Sequence, residues 1–215
     1  MFSKIFPKIH AEGYKFLVIA GVITILFYSF SDFLGLIGLV LTIWVYYFFR
    51  DPERVIINDD NFLVSPADGE VIKVEEVNGP KELNLENKKF KKISIFMNVF
   101  DCHVNRTPCQ GKIEDILYKP GKFFNASLDK ASEENERNFF RIKDNQGNEI
   151  VLVQIAGLIA RRIVCETNKG QELSQGDRVG MIRFGSRADV YYENYEPLVK
   201  VGQKAISGET LLAKK

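Results

Sequence analysis

Residues Glu70-Val-Ile-Lys-Val-Glu-Glu-Val77 decide the fold class. The run is short, rich in β-branched residues and flanked by Asp68-Gly69 and Asn78-Gly79-Pro80, the pattern of a strand. Four more runs share it: Ile93–Met97, Lys112–Tyr118, Asn138–Lys143 and Glu149–Ile155. Asp144-Asn-Gln-Gly147 reads as a hairpin turn between the last two. Only Ser127–Asn138 reads as helical in this part, and Lys88-Lys-Phe-Lys-Lys92 reads as a solvated loop. A short echo, Asp68-Gly69, Gln110-Gly111, Gln175-Gly176 and Val201-Gly202, sets a Gly turn before each of four strands. Together these signals predict a mainly β, compact barrel-sandwich-like domain with few helices.

Upstream the composition changes. Residues 16–49 carry a single charged side chain, Asp32, whereas 51–215 have the mixed composition of a soluble domain. As one helix those 34 residues would be about 51 Å long, too long for one crossing of a hydrocarbon layer about 30 Å thick. Ser29-Phe-Ser-Asp32 supplies the break, because Ser31 or Asp32 can cap a second helix. The reading is an apolar helical hairpin over residues 1–50 that spans the membrane or dips into it, followed by a soluble domain over 51–215. Lys4, Lys8 and Lys15 precede the hairpin and Arg50 and Arg54 follow it, so the positive-inside tendency puts both ends, and the domain, on the cytoplasmic side of the cell membrane.

The 215 residues hold 29 basic and 28 acidic side chains. The first fifty residues have net charge +2 and the remainder −1, which excludes a polybasic nucleic-acid binder. Cys102, Cys109 and Cys165 are odd in number and lack CxxC spacing, as expected of reduced thiols. No spaced metal ligands, phosphate loop or nucleophile elbow is present, and no metal is expected.

Two places depart from this background. His103 lies in Phe100-Asp-Cys-His-Val-Asn-Arg106, after an apolar strand and among polar neighbours. Arg183-Phe-Gly-Ser-Arg187 sets a Gly-Ser pair between arginines. Gly185 can adopt dihedrals closed to other residues, and the Ser186 hydroxyl can then attack its carbonyl. The resulting ester loses the Ser186 α-proton and expels the Gly185 carboxylate, and hydrolysis of the dehydroalanine with loss of ammonia leaves a pyruvoyl ketone.

These motifs occur in order with Phe49–Pro52, Ser65-Pro-Ala-Asp-Gly69, Lys130–Arg137, Ile155–Arg162 and Gly208-Glu-Thr210. Taken together, the chain resembles the proenzymes of the short, bacterial-type phosphatidylserine decarboxylases almost end to end. The resemblance implies self-cleavage between Gly185 and Ser186 into chains 1–185 and 186–215 that stay associated. It implies a covalent pyruvoyl cofactor made from Ser186, and decarboxylation of membrane phosphatidylserine to phosphatidylethanolamine through a Schiff base. It also implies roles for Asp68 and His103 in maturation and turnover. Longer members have a second His where this chain has Arg106, so that residue's role does not transfer.

Arg161, Arg162, Arg183 and Arg187 are the substrate-binding candidates for phosphate or carboxylate, structural ion pairs being the alternative for at least two of them. The sequence leaves homo-oligomerisation open. Two rival functions are a pyruvoyl decarboxylase of another amine and a non-catalytic lipoyl-like membrane-tethered module, suggested by the Gly-turn hairpin pattern of Leu198–Ala213.

Overall fold

The computed structural model describes residues 6–127, 131–158, 162–183 and 185–215, and the chain divides into two compact units, Met1–Glu53 and Arg54–Lys215. In the first, helices α1 (Tyr14–Phe30) and α2 (Asp32–Phe48) form the expected hairpin. Ser31 breaks the run in extended conformation, and its hydroxyl accepts the Phe33 N–H at 3.3 Å, capping α2. Small residues let the helices approach: a Cβ on Gly35 would lie 2.2 Å from the Tyr28 ring, and Thr24 and Thr42 share a 2.8 Å hydroxyl hydrogen bond. Lys8–Ile9 pairs antiparallel with Arg50–Asp51 at the open end. Ala11–Phe30 is long and apolar enough to cross a membrane, whereas the apolar helix Asp32–Phe48 is shorter.

The second unit is built from strands: β1 (Phe62–Val64), β2 (Gly69–Asn78), β3 (Lys89–Met97), β4 (Val104–Arg106), β5 (Gly111–Lys119), β6 (Arg137–Asp144), β7 (Glu149–Ala156), β8 (Ile163–Cys165), β9 (Glu172–Leu173), β10 (Arg178–Ile182), β11 (Ser186–Tyr192), β12 (Glu196–Pro197), β13 (Lys204–Ala205) and β14 (Leu211–Lys214). One curled antiparallel sheet runs in the order β9-β5-β6-β7-β11-β3-β2-β13. Two three-stranded sheets, β8-β10-β4 and β12-β14-β1, accompany it. Val71, Ile93, Ile95, Phe140, Leu152 and Val190 are buried in the main core, which explains why these strands could be read from their β-branched runs. Gly176 and Gly202 hold φ of +81° and +89° at turns before strands, conformations that favour glycine.

Two expectations change. Lys89–Lys92 belong to β3, where Lys92 is buried and pairs with Glu75 at 2.8 Å, so the charged run lies mostly in a strand and not a loop. Cross-strand carboxylates neutralise charges that looked solvated in isolation. The helix expected over 127–138 is reduced to α3, Ala131–Glu134, and residues 128–130 lie outside the described set. Arg137 and Asn138 are instead captured by β6, where pairing with β7 outweighs local helix preference.

Strand β11 carries a buried charge pair between two of its own residues. Arg187 and Asp189 are fully buried, with Nη2 to Oδ2 at 3.0 Å and Nε to Oδ1 at 2.8 Å, the latter an ionic contact off hydrogen-bond alignment. Arg187 Nη1 also donates to the Ala126 carbonyl at 3.1 Å. Removing one partner strands the other charge in the core, so Asp189→Ala should lower unfolding stability by about 3–5 kcal/mol. Chemical denaturation should show a midpoint well below wild type.

Candidate active site

The register of β11 brings three distant motifs together. Ser186 is its first residue and stands opposite Met97 at the end of β3 and Ala156 at the end of β7. The chain reaches it from Ile182, the last residue of β10 in a different sheet, and Gly185 sits at the corner directly before it. Gly185 takes this corner with φ of +62°, a left-handed conformation that is costly for other residues.

Gly157, directly after Ala156, makes room for that corner. A Cβ there would lie 2.0 Å from the Gly185 carbonyl oxygen and 2.9 Å from its carbon. The carbonyl between residues 185 and 186 therefore occupies the space of a missing side chain.

His103 approaches the same residue from β4. The Ile182 N–H donates to the His103 carbonyl at 3.3 Å, and the Gly185 N–H donates to His103 Nε2 at 3.2 Å. Nε2 thus acts as acceptor, and the ring proton resides on Nδ1, which donates to the Asp101 carbonyl at 3.0 Å. The imidazole is fully buried. Its lone pair is aimed at residue 185.

The Ser186 hydroxyl, also buried, donates to Met97 Sδ at 3.7 Å. Thioether sulfur is a weak acceptor, so the hydroxyl is oriented without being strongly held. The sulfur is fixed in turn by Asn105 Nδ2 at 3.5 Å, and Asn105 Oδ1 accepts from Gln154 Nε2 at 2.9 Å. Asn138 Nδ2 donates to Gln154 Oε1 at 3.4 Å, completing a buried amide relay behind the serine.

Asp68 takes a separate place. Arg54 Nη2 meets its two oxygens at 2.8 and 2.7 Å, and the Ser207 N–H donates to Oδ1 at 2.8 Å. Burial works against the Arg54 charge, but Asp68, Cys102 and Glu209 together outweigh it and raise the guanidinium pKa above its ordinary value. Among the described residues, Asp68 has no hydrogen bond to His103 or Ser186.

The arginines divide. Arg187 is committed to Asp189. Arg183 is half-buried, with its N–H donated to the Arg162 carbonyl at 3.2 Å, and the Arg162 side chain is exposed. Arg161 lies outside the described residues.

Beside Gly185 opens a cavity of about 250 Å³, walled by Phe96, Val99, Ala126 and Leu158 with Asn98 and Asn125. The wall is mostly apolar, beside the buried hydroxyl and imidazole. Sequence reasoning assigned no role to Gly157 or Met97. A Gly after a long apolar strand could have signalled a close backbone approach, whereas nothing in the local sequence ties Met97 to residue 186.

A buried serine thus follows a left-handed glycine, with an imidazole acceptor on that glycine and an apolar pocket beside it. The family pattern for phosphatidylserine decarboxylase matches residues 41–213. A phosphatidylserine decarboxylase proenzyme of Pelagibacter ubique is 76% identical over 215 residues, covering 100% of both chains. Proenzymes of the same name from Ruegeria pomeroyi and Rickettsia typhi are 54% and 49% identical, covering 95% and 99% of this chain and 94% and 92% of their own. The protein is a decarboxylase. It belongs to the phosphatidylserine decarboxylase family.

Gly157→Ala should push the Gly185 carbonyl out of its place while leaving the core intact. Phosphatidylserine decarboxylation should fall at least tenfold with an unchanged far-UV circular dichroism spectrum.

Proposed function

We propose that this chain is a self-processing proenzyme whose mature form decarboxylates phosphatidylserine through a pyruvoyl group derived from Ser186, a pyruvoyl-dependent carboxy-lyase. The observation that carries the reading is the corner at Gly185: left-handed backbone, carbonyl against Gly157, and N–H on His103 Nε2 at 3.2 Å.

Ser186 Oγ attacks the Gly185 carbonyl carbon, the hydroxyl proton leaves to a base, and the peptide N–C bond breaks to give an ester. Loss of the Ser186 α-proton expels the Gly185 carboxylate. Addition of water releases ammonia and leaves the ketone on residue 186. His103 Nε2, already an acceptor at residue 185, is the base nearest this sequence of transfers.

The residues around Ser186 fit such a group. The missing side chain at Gly157 leaves space for the carbonyl to change shape, and the buried sulfur of Met97 surrounds residue 186 with little hydrogen-bonding competition. Once formed, the pyruvoyl ketone supplies the electron sink for loss of the substrate carboxyl, chemistry no ordinary side chain offers. His103, whose ordinary pKa lies nearest neutrality among the groups here, then returns a proton to the substrate α-carbon.

Asp68 acts in maturation by position. Held by Arg54 and the Ser207 N–H, it fixes the turn Ser65–Gly69, whose Pro66 carbonyl accepts the Arg106 N–H at 2.9 Å and Asn105 Nδ2 at 3.5 Å. The Asn105 amide leads on to Met97 and the serine. Arg161, Arg162 and Arg183 are the arginines we assign as candidates for the phosphate or carboxylate of the lipid.

Chains 1–185 and 186–215 stay associated, since β11 is paired on both sides along its length. The hairpin of the first unit holds the protein in the cell membrane with both hairpin ends, and the decarboxylase domain of residues 51–215, on the cytoplasmic side.

Phenylhydrazine titration tests the reading. Wild type should take up one equivalent and lose activity, whereas Ser186→Ala should take up none and be inactive; a fully active wild type with no titratable carbonyl refutes it. Substitutions divide the labour. Asp68→Ala should accumulate whole chain on a denaturing gel, and the fraction of His103→Ala that cleaves should turn over phosphatidylserine at least a hundredfold more slowly than wild type.

A further inference from the structure

We propose that the rim around the Gly185 cavity, formed by Phe100, Phe124 and Leu158, inserts into an anionic phospholipid surface, so that substrate passes from lipid to residue 186 without entering water. The proposal rests on the reading that residue 186 is the reacting centre.

Phe100 and Leu158 are 65% and 68% exposed, and Phe124 is 37% exposed. A single exposed apolar side chain is ordinary. Here three come from separate segments, and each adjoins or belongs to the cavity wall: Phe100 follows Val99, Phe124 precedes Asn125 and Ala126, and Leu158 lines the cavity itself. Leu158 both lines the cavity and is exposed, so apolar surface reaches from beside the Gly185 backbone to the outside of the domain, as a path for acyl chains requires.

The charges around the rim indicate which surface it meets. The Lys122 ammonium lies 5.5 Å from the Phe124 ring centroid, exposed and paired with Glu134. Arg162 is exposed, and its carbonyl holds the Arg183 N–H two residues before Gly185. Aromatic rings beside basic side chains suit the headgroup level of an anionic leaflet. The hairpin alone, however it holds the chain, would not require an apolar rim here.

The test uses the full chain with its single tryptophan removed by Trp44→Phe and one indole introduced by Leu158→Trp, reconstituted in vesicles of phosphatidylcholine and phosphatidylserine. Emission should be blue-shifted, quenched by brominated acyl chains and shielded from acrylamide. Quenching by acrylamide but not by brominated lipid overturns the proposal, as does shielding from both, which would mean that another protein surface covers the rim. Phe100→Trp provides a second probe if the first variant folds poorly.

A denaturing gel of wild type beside the same samples separates the two readings. A wild-type chain that stays whole, with a probe quenched by brominated lipid, sinks self-cleavage and leaves the rim in lipid. A cleaved chain whose indole stays wet sinks the lipid rim alone.

Discussion

Every feature of the site depends on β11 being hydrogen-bonded on both sides from its first residue. Ser186 stands opposite Met97 on one side and Ala156 on the other, so the residues that follow those partners are delivered to the same place. Gly157 comes from one neighbour, and His103 from the turn beyond the other. One residue further along, buried Arg187 ties the strand to the Ala126 carbonyl while paired with Asp189 of the same strand. A slip in this register would exchange inward and outward faces and separate the hydroxyl, the imidazole and the glycine cradle together.

The corner at Gly185 follows from that constraint. β10 ends at Ile182 in one sheet and β11 begins at Ser186 in another. Gly185 meets the junction with φ of +62°, which glycine adopts without steric cost and other residues do not. The proposed maturation breaks the bond that follows it.

Much of the architecture was legible from local sequence. β-branched runs between Gly, Asn and Asp turns gave the central strands to within a few residues at most boundaries, and Ser31 marked the break between the two apolar helices. The Gly-Ser pair and His103 stood out because their neighbours suit neither a plain turn nor a plain core. What remained hidden depends on residues far apart in sequence. Lys92 is a strand residue because Glu75 faces it across the sheet, and residues 137–138 extend because β7 pairs with them. Nothing near Asp68 announces Arg54 and Ser207 as its partners, and nothing near Gly157 announces that a carbonyl 28 residues later needs its empty side.

The central claim is that the bond between Gly185 and Ser186 is made to break in the folded chain. The intact mass of the purified wild-type protein tests it most directly. The account predicts two chains, residues 1–185 and 186–215, with the smaller lighter by one ammonia than the genuine peptide and blocked to amine-directed sequencing. A decarboxylase that turns over phosphatidylserine as a single intact chain of 215 residues would contradict it.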